Sequence, residues 1–180
     1  MNVSILNLLP IKQGGDAKAT IDAALRLAKF AEDIGIKRYW VAEHHNMKNL
    51  ASSATQLLIA HILEHTKSLR VGSGGVMLPN HSPYSIAEQY ATLETLYPNR
   101  VDLGLGRAPG TDQETAAVLR RGAREMEFNM QINELMDYFN AKRAVKAYPK
   151  IENFPRERYL LESESVRAHH QQSRVSQQSA

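Results

Sequence analysis

Residues 71–90, VGSGGVMLPNHSPYSIAEQY, hold one complete strand-to-helix unit. An apolar run that begins at Leu69 opens a strand, which then runs into glycines. Ser82 is a candidate N-cap, and Pro83 takes the first helical position, where its missing N–H costs nothing. Apolar residues then recur at helical spacing until Pro98 ends the pattern. The stretch therefore predicts a β-strand followed at once by an α-helix.

Similar units recur on both sides of this stretch. The predicted strands are too far apart in sequence for hairpins, so they are expected to pair in parallel through right-handed crossovers. The fold class is therefore α/β, either a doubly wound sheet or part of an eight-stranded barrel, and periodicity alone does not choose between them. The strands are predicted at Val3–Leu9, Arg38–Ala42, from Leu69–Val71 onward, and Val101–Leu105.

Helix signals separate the strands. Asp16 is expected to cap the first helix, because its carboxylate can accept free N–H groups of the first turn, and Gly35 is expected to stop it. Thr111 and Glu114 have the spacing of a capping box for a fourth helix. The remaining predictions are a second helix over Ser53–Thr66 and a last one with Phe128, Ile132, Leu135 and Phe139 on one face.

Composition limits the function classes. The 180 residues carry a net charge of +3, no cysteine and 43% hydrophobic residues. Residues 1–119 are neutral, so the positive excess falls in residues 120–180 and gives little support for a nucleic-acid partner. No apolar run approaches the roughly 18 residues of a membrane span, and no signal-peptide pattern opens the chain. We expect a cytoplasmic protein without disulfides.

The character of the chain changes near Pro149. Residues 162–180 contain only Val166 and Val175 as large aliphatic side chains. Such a segment cannot bury enough apolar surface to offset its ordering entropy. We therefore expect a folded domain over residues 1–148 and a polar, disordered tail over residues 149–180.

Ionisable residues and glycines follow the predicted strands, at the edge where parallel α/β folds bind ligands. Glycines there let a flat ligand approach the backbone. Arg107 offers planar donors to an anion such as phosphate, and His44 can exchange protons near neutral pH. Each feature alone also fits a turn, a salt bridge or a loop hydrogen bond, but their shared position favours function. These residues are Asn7–Leu9, Glu43–His45, Gly74–Met77 and Gly106–Pro109.

Two other motifs compete for a function. His61-Ile62-Leu63-Glu64-His65 matches the H-x-x-E-H pattern of inverted zincins, but its helix is expected to be an outer crossover. Gly104-Leu105-Gly106 begins a dinucleotide fingerprint, yet Pro109 occupies the third glycine position. No G-K-[ST] sequence exists for a phosphate-binding loop. We therefore predict no metal site.

Three long segments together resemble the bacterial luciferase-like monooxygenase family. They are residues 38–46, RYWVAEHHN; residues 71–83, VGSGGVMLPNHSP; and residues 100–112, RVDLGLGRAPGTD. The resemblance is dense from Val3 to about Arg121 and weaker to about Tyr148. Within the family, the chain is most similar to single-component flavin oxidoreductases that have not been characterised.

The resemblance implies a TIM-type barrel that uses reduced FMN and oxygen to oxidise an aldehyde or a related small organic substrate. A flavin reductase or NAD(P)H would supply the electrons. It also implies a proton-transfer role for His44, and a Gly74–Gly75 pair that backs the flavin ring, often through a cis peptide bond. The other cofactor-binding residues implied are Gly106 and Arg107 beside the flavin, with Asn7 and Met77 lining the pocket.

The chain also departs from the family pattern. A complete barrel has eight strands in about 250 residues. Only four to five strands are predicted here, with a truncated or divergent sequence after about residue 148. A partial barrel exposes strand edges and one sheet face. We therefore expect a homodimer, with the Phe128–Phe139 helix face in the contact. The alternative function is a non-catalytic half-barrel dimer that binds flavin weakly or not at all.

Overall fold

The computed structural model describes residues 3–121 and 126–150 in full, and the backbone of residues 159–161. Strands and helices alternate along the chain, with two helices and no described strand between the last two strands. The elements are β1 Ser4–Asn7, α1 Ala17–Asp33, β2 Arg38–Val41, α2 Thr55–Glu64, β3 Arg70–Met77, a short 3-10 helix Leu78–Asn80, α3 Pro83–Leu96, β4 Val101–Gly106, α4 Gln113–Arg120, α5 Phe128–Phe139 and β5 Tyr159–Leu161.

The described strands form one parallel sheet in the order β1-β2-β3-β4-β5. A doubly wound sheet reverses its strand order at a switch point, whereas a TIM-type barrel adds each strand beside the previous one. The order therefore decides the question that periodicity left open. The prediction of a partial barrel with four to five parallel strands is confirmed.

The two faces of the sheet differ. Tyr39, Ile59 and Leu103 belong to the fully buried core between the sheet and its helices. The opposite face is open, since Leu6 is 45% exposed there and Trp40 is half-buried. In a closed barrel this second face would line the interior.

An ion-pair cluster lies on the open face where the strands begin. Asp102 of β4 is 1% exposed and accepts hydrogen bonds from Arg38 at 3.2 Å and from the Nε of Arg70 at 3.0 Å. These two arginines are the first residues of β2 and β3. The carboxylate therefore joins three strands at the end of the sheet opposite the predicted ligand site.

Helix starts follow the sequence signals, with one exception. Asp16 caps α1 as predicted, since its Oδ1 accepts the Ala19 N–H at 2.7 Å. The predicted Thr111 capping box is wrong: Asp112 is the N-cap of α4 and accepts the Thr115 N–H at 2.8 Å. Thr111 instead donates its hydroxyl to the carbonyl of His45 at 2.9 Å, because the loop after β4 packs against the loop after β2.

The chain after residue 148 contributes to the sheet. β5 pairs in parallel with β4, so part of the segment predicted as a tail continues the sheet. Residues 151–158 and 162–180 lie outside the described residues, and the predicted disorder of the tail therefore stays a prediction. In the described part of the chain, no helix is both long and apolar enough to cross a membrane.

The apolar face of α5 packs inside the chain. Leu135 is fully buried, while Phe128, Ile132 and Phe139 are partly buried against the core. Tyr138 also makes an edge-on ring contact with Tyr84 of α3 at 5.2 Å. The chain's own core therefore covers Leu135 and part of this face, and the expectation that the face forms a dimer contact stays a prediction. The homodimer itself stays a prediction.

We expect Leu135→Ala to destabilise the chain by about 2–5 kcal/mol, because it removes a fully buried side chain. Met130→Ala is the matched control on the same helix, since Met130 is 59% exposed, and it should change stability little. Urea unfolding of both variants measures the difference. Equal stability of the two variants, with a lower oligomeric mass for Leu135→Ala alone, would return this face to a dimer contact.

Candidate functional site

The loops that follow β2, β3 and β4 are joined by hydrogen bonds. The His45 N–H donates to the carbonyl of Gly110 at 3.1 Å, and the Asn80 side chain donates to the carbonyl of Pro109 at 2.7 Å. Since parallel strands end at the same edge, these contacts tie the three loops into one connected surface. The structure therefore brings together the strand-end segments that the sequence singled out.

Gly74 and Gly75 form a patch of bare backbone, here called the glycine shelf. Gly74 is exposed and Gly75 half-buried, although the residues flanking them in β3, Ser73 and Val76, are buried. Their peptide bond is cis, at the position where the resemblance implied one. The pairing register with β4 shifts between Ser73 and Val76, so the glycine shelf lies at an irregularity in the sheet.

The surroundings of the glycine shelf explain why both residues are glycine. A Cβ on Gly74 would lie 2.9 Å from the Cδ1 of Leu6 and 3.1 Å from the Cβ of Trp40. A Cβ on Gly75 would lie 2.9 Å from the carbonyl carbon of Gly104. The glycine shelf thus carries no side chain of its own and is flanked by two apolar residues. These features fit a planar aromatic ring such as that of a flavin.

His44 is half-buried in the loop after β2. Its backbone N–H donates to the carbonyl of Ser52 at 3.2 Å. The Nδ1 atom of its ring is buried and has no hydrogen-bond partner within the described residues. A buried polar atom normally has a partner, so this nitrogen without one marks His44 as a candidate functional residue.

Arg107 and Gly106 lie at the end of β4. Arg107 is exposed, and its Cζ lies 5.5 Å from the centre of the Phe128 ring, a cation–π distance. A Cβ on Gly106 would lie 2.8 Å from the Sδ of Met77. Met77 is 8% exposed, so its side chain packs against Gly106 and does not line an open pocket.

Asn7 does not join the other predicted residues. Its amide donates to the Tyr39 hydroxyl at 2.5 Å, and its Oδ1 accepts the Leu9 N–H at 2.8 Å. Tyr39 in turn donates to the carbonyl of Ala24 in α1, so the Asn7 side chain faces the helix layer. Successive residues of a strand face opposite sides, which places Leu6 on the face of the glycine shelf. The alternation of β1 could have identified Leu6 from the sequence.

A cleft of about 380 Å³ lies beside the Asn7 side chain. It is lined mainly by β1, the loop that follows β1 and the first turns of α1, including Lys12, Asp16 and Arg26. None of its lining residues comes from the loops after β2, β3 or β4. The cleft is therefore separate from the glycine shelf.

Sequence reasoning placed Glu43 and His45 at the strand ends but gave them no role, and it did not single out His81. Glu43 is fully buried, and its Oε1 accepts the Nε2–H of His81 at 2.7 Å and of His45 at 2.9 Å. Burial raises the pKa of Glu43, but the two imidazole hydrogen bonds outweigh it and hold the pKa below its ordinary value. We call these three residues the Glu43 cluster.

The Glu43 cluster also has the composition of a metal site. Its three ligand atoms lie within 4.8 Å of one another. However, ligand atoms around tetrahedral zinc are about 3.3 Å apart, given zinc–nitrogen and zinc–oxygen bonds of about 2.0–2.1 Å. The shorter distances here are those of hydrogen bonds, so the geometry favours imidazole donors over a metal ion.

The inverted-zincin pattern does not assemble a metal site in the structure. The Nδ1–H of His65 donates to the backbone carbonyl of His61 at 2.8 Å. Glu64 accepts the Tyr97 hydroxyl at 2.9 Å. Among the described residues, these side chains therefore form helix-layer contacts, as expected for an outer crossover.

The family model described as luciferase-like monooxygenase matches residues 1–175. The uncharacterized protein YvbT of Bacillus subtilis (strain 168) is 55% identical over 152 residues, which are 82% of this chain and 45% of that protein. A luciferase-like monooxygenase of Escherichia coli (strain K12) is 52% identical over 141 residues, which are 77% of this chain and 42% of that protein. The chain spans less than half the length of these relatives.

Solved structures show the same fold. The crystal structure of apo-MsnO8 has a TM-score of 0.81 at 32% identity, over 89% of this chain and 49% of that one. The oxygenating constituent of 3,6-diketocamphane monooxygenase from Pseudomonas putida, solved with FMN, has a TM-score of 0.63 at 20% identity. That match covers 77% of this chain and 39% of that one, and it concerns the fold alone. From the family match and these relatives, the chain belongs to the luciferase-like monooxygenase family.

Proposed function

We propose that this chain binds reduced FMN on the glycine shelf and serves the oxidation of a small organic substrate, such as an aldehyde, by oxygen. One observation carries the proposal. Gly74 and Gly75 present exposed backbone in the sheet, beside the loop that holds His44 with its unpartnered ring nitrogen. A planar ring and a proton-transfer group would meet there.

The comparisons support a flavin. The chain belongs to a family of monooxygenases, and the 3,6-diketocamphane monooxygenase, which shares the fold, was solved in complex with FMN. Because the chain covers less than half of YvbT and of the Escherichia coli protein, the activity of a whole relative is carried over here as a proposal. The electron source that we propose is a flavin reductase or NAD(P)H.

Each site residue has a physical task in this proposal. Gly74 and Gly75 let the ring lie against backbone, while Leu6 and Trp40 flank it and exclude water. When bound, reduced FMN supplies the electrons that activate oxygen. His44 holds or moves a proton at Nδ1 in a site sheltered from solvent.

The end of β4 completes the proposed flavin site. Arg107 offers an exposed guanidinium to the FMN phosphate, and charge-assisted bonds of this kind are strong. Gly106 and Met77 would lie beside the cofactor and pack closely against each other, since a Cβ on Gly106 would lie 2.8 Å from the Sδ of Met77. Asn7 serves the site indirectly, because it fixes the end of β1 next to Leu6.

Substitution of Gly74 tests the glycine shelf. We expect Gly74→Leu to weaken FMN binding at least about tenfold, a loss of about 1.4 kcal/mol, because the new side chain displaces Leu6 and Trp40, which flank the proposed ring position. Gly74→Ala is the graded control, since its Cβ meets only the flexible end of Leu6 and the Trp40 Cβ, and it should bind more tightly than Gly74→Leu. Quenching of FMN fluorescence measures both.

Absence of FMN binding by the unaltered chain would instead favour the non-catalytic half-barrel. Binding that both Gly74 variants leave unchanged would place the flavin elsewhere.

Substitution of Arg107 tests the phosphate contact. We expect Arg107→Gln to weaken FMN binding about tenfold to a hundredfold, because it removes a charge-assisted hydrogen bond of about 1.5–3 kcal/mol. Riboflavin, which lacks the phosphate, should bind both forms equally. Arg143→Gln is the matched control, since Arg143 also lies over an aromatic ring, at 5.6 Å from Tyr138. Equal losses for FMN and riboflavin would contradict the phosphate assignment.

Substitution of His44 tests the proton-transfer role. We expect His44→Ala to lower oxygen-dependent aldehyde oxidation with reduced FMN about a hundredfold or more, as removal of a general acid–base group does. FMN affinity should stay similar. His65→Ala, at the end of α2 and outside the site, is the control. The assignment fails if the two variants oxidise the aldehyde at the same rate.

A further inference from the structure

Glu43 is a buried carboxylate that the proposed reaction does not use. It lies directly before His44, and its Oε1 accepts hydrogen bonds from His45 in the same loop and from His81 after the short 3-10 helix. One oxygen atom therefore connects the loop after β2 to the segment after β3. Its other oxygen, Oε2, is buried without a partner in the described part of the chain.

The residue on the other side of His44 is also held in place. The His45 ring is bound to Glu43, and the His45 N–H donates to Gly110 at 3.1 Å. The His45 carbonyl accepts the Thr111 hydroxyl at 2.9 Å. His44 thus lies between two residues that are fixed by contacts to the loops after β3 and β4.

We propose that Glu43 is a positioning residue for His44: by holding His45 and His81, it fixes the backbone of the loop that carries the His44 ring. This inference rests on the proposed function for the role of His44. Small displacements at a reacting group are costly, since a shift of about 1 Å can lower a rate about a hundredfold. The Glu43 cluster thus supports a residue that it does not touch through a side-chain hydrogen bond.

Two substitutions separate geometry from charge. Glu43→Ala removes the acceptor that both imidazoles share. Glu43→Gln keeps an oxygen at Oε1 and places its amide nitrogen at Oε2, which accepts no hydrogen bond from the described residues. If Glu43 acts by position, the glutamine variant should restore what the alanine variant loses.

Asp102→Asn is the control for the loss of a buried carboxylate. Asp102 is nearly as buried as Glu43 and, like it, accepts hydrogen bonds from two side chains, here Arg38 and Arg70, but it lies where the strands begin. The Asp102→Asn substitution should lower the melting temperature and leave the NMR signals of His44 unchanged. A general loss of packing would disturb both ends of the sheet.

The experiment is ¹⁵N-histidine NMR of the full chain without FMN. We expect downfield imidazole N–H signals from His45 and His81 in the unaltered chain and in Glu43→Gln, but not in Glu43→Ala. The His44 ring should give one narrow signal in the first two proteins and a broadened or multiple signal in Glu43→Ala. A His44 signal that is the same in all three proteins overturns the proposal, as does Glu43→Gln that behaves like Glu43→Ala.

FMN and zinc are then added separately. FMN should shift the His44 signal in the unaltered chain and in Glu43→Gln, and at least severalfold less in Glu43→Ala. Failure of every form to bind FMN would contradict the proposed function, while the FMN-free spectra would still decide the role of Glu43. A rise in melting temperature on addition of stoichiometric zinc that is absent in Glu43→Ala would overturn the positioning role in favour of a metal site.

Discussion

The close approach of the β3 and β4 backbones is the constraint on which the site depends. A Cβ on Gly72 would lie 2.7 Å from the Cβ of Asp102, and one on Gly75 would meet the Gly104 carbonyl. Ser73 joins the same strands, because its hydroxyl donates to the Gly104 carbonyl at 2.9 Å and accepts the Gly104 N–H at 3.1 Å. The pairing register with β4 shifts between Ser73 and Val76, and Gly74, which lies within this interval, is exposed.

Two buried carboxylates hold the two ends of the sheet in different ways. Asp102 pairs with arginines, which stay charged under all ordinary conditions, so it serves cohesion of the strands. Glu43 pairs with imidazoles at the end where the loops carry the candidate functional residues. The separation of candidate functional residues at one end from strand cohesion at the other follows the general division of barrel folds. In this chain, a buried carboxylate accepts hydrogen bonds at each end of the sheet, Asp102 at one end and Glu43 at the other.

The sequence predicted the elements well because their signals are local. The strand and helix patterns, the Asp16 cap and the apolar face of α5 each depend on residues that are close in sequence. The structure contains each of these features. The capping box at Thr111 failed for a non-local reason, since its hydroxyl is taken by the His45 carbonyl, 66 residues away. The packing of α5 against α3, with Tyr138 on Tyr84, is likewise a non-local contact that the spacing within α5 does not predict.

In the candidate site, too, local sequence signals and non-local contacts determined different features. The sequence by itself placed His44, Gly106 and Arg107 at the strand ends, because parallel strands end at one edge, whereas Gly74 and Gly75, expected after the third strand, lie within β3. Only the tertiary structure decided which side chains share a face, so that Asn7 turns to the helix layer while Leu6 and Trp40 flank the glycines. It also decided that Glu43 meets His81, 38 residues later, because hydrogen-bond partners between loops depend on how the strands pack and not on spacing along the chain.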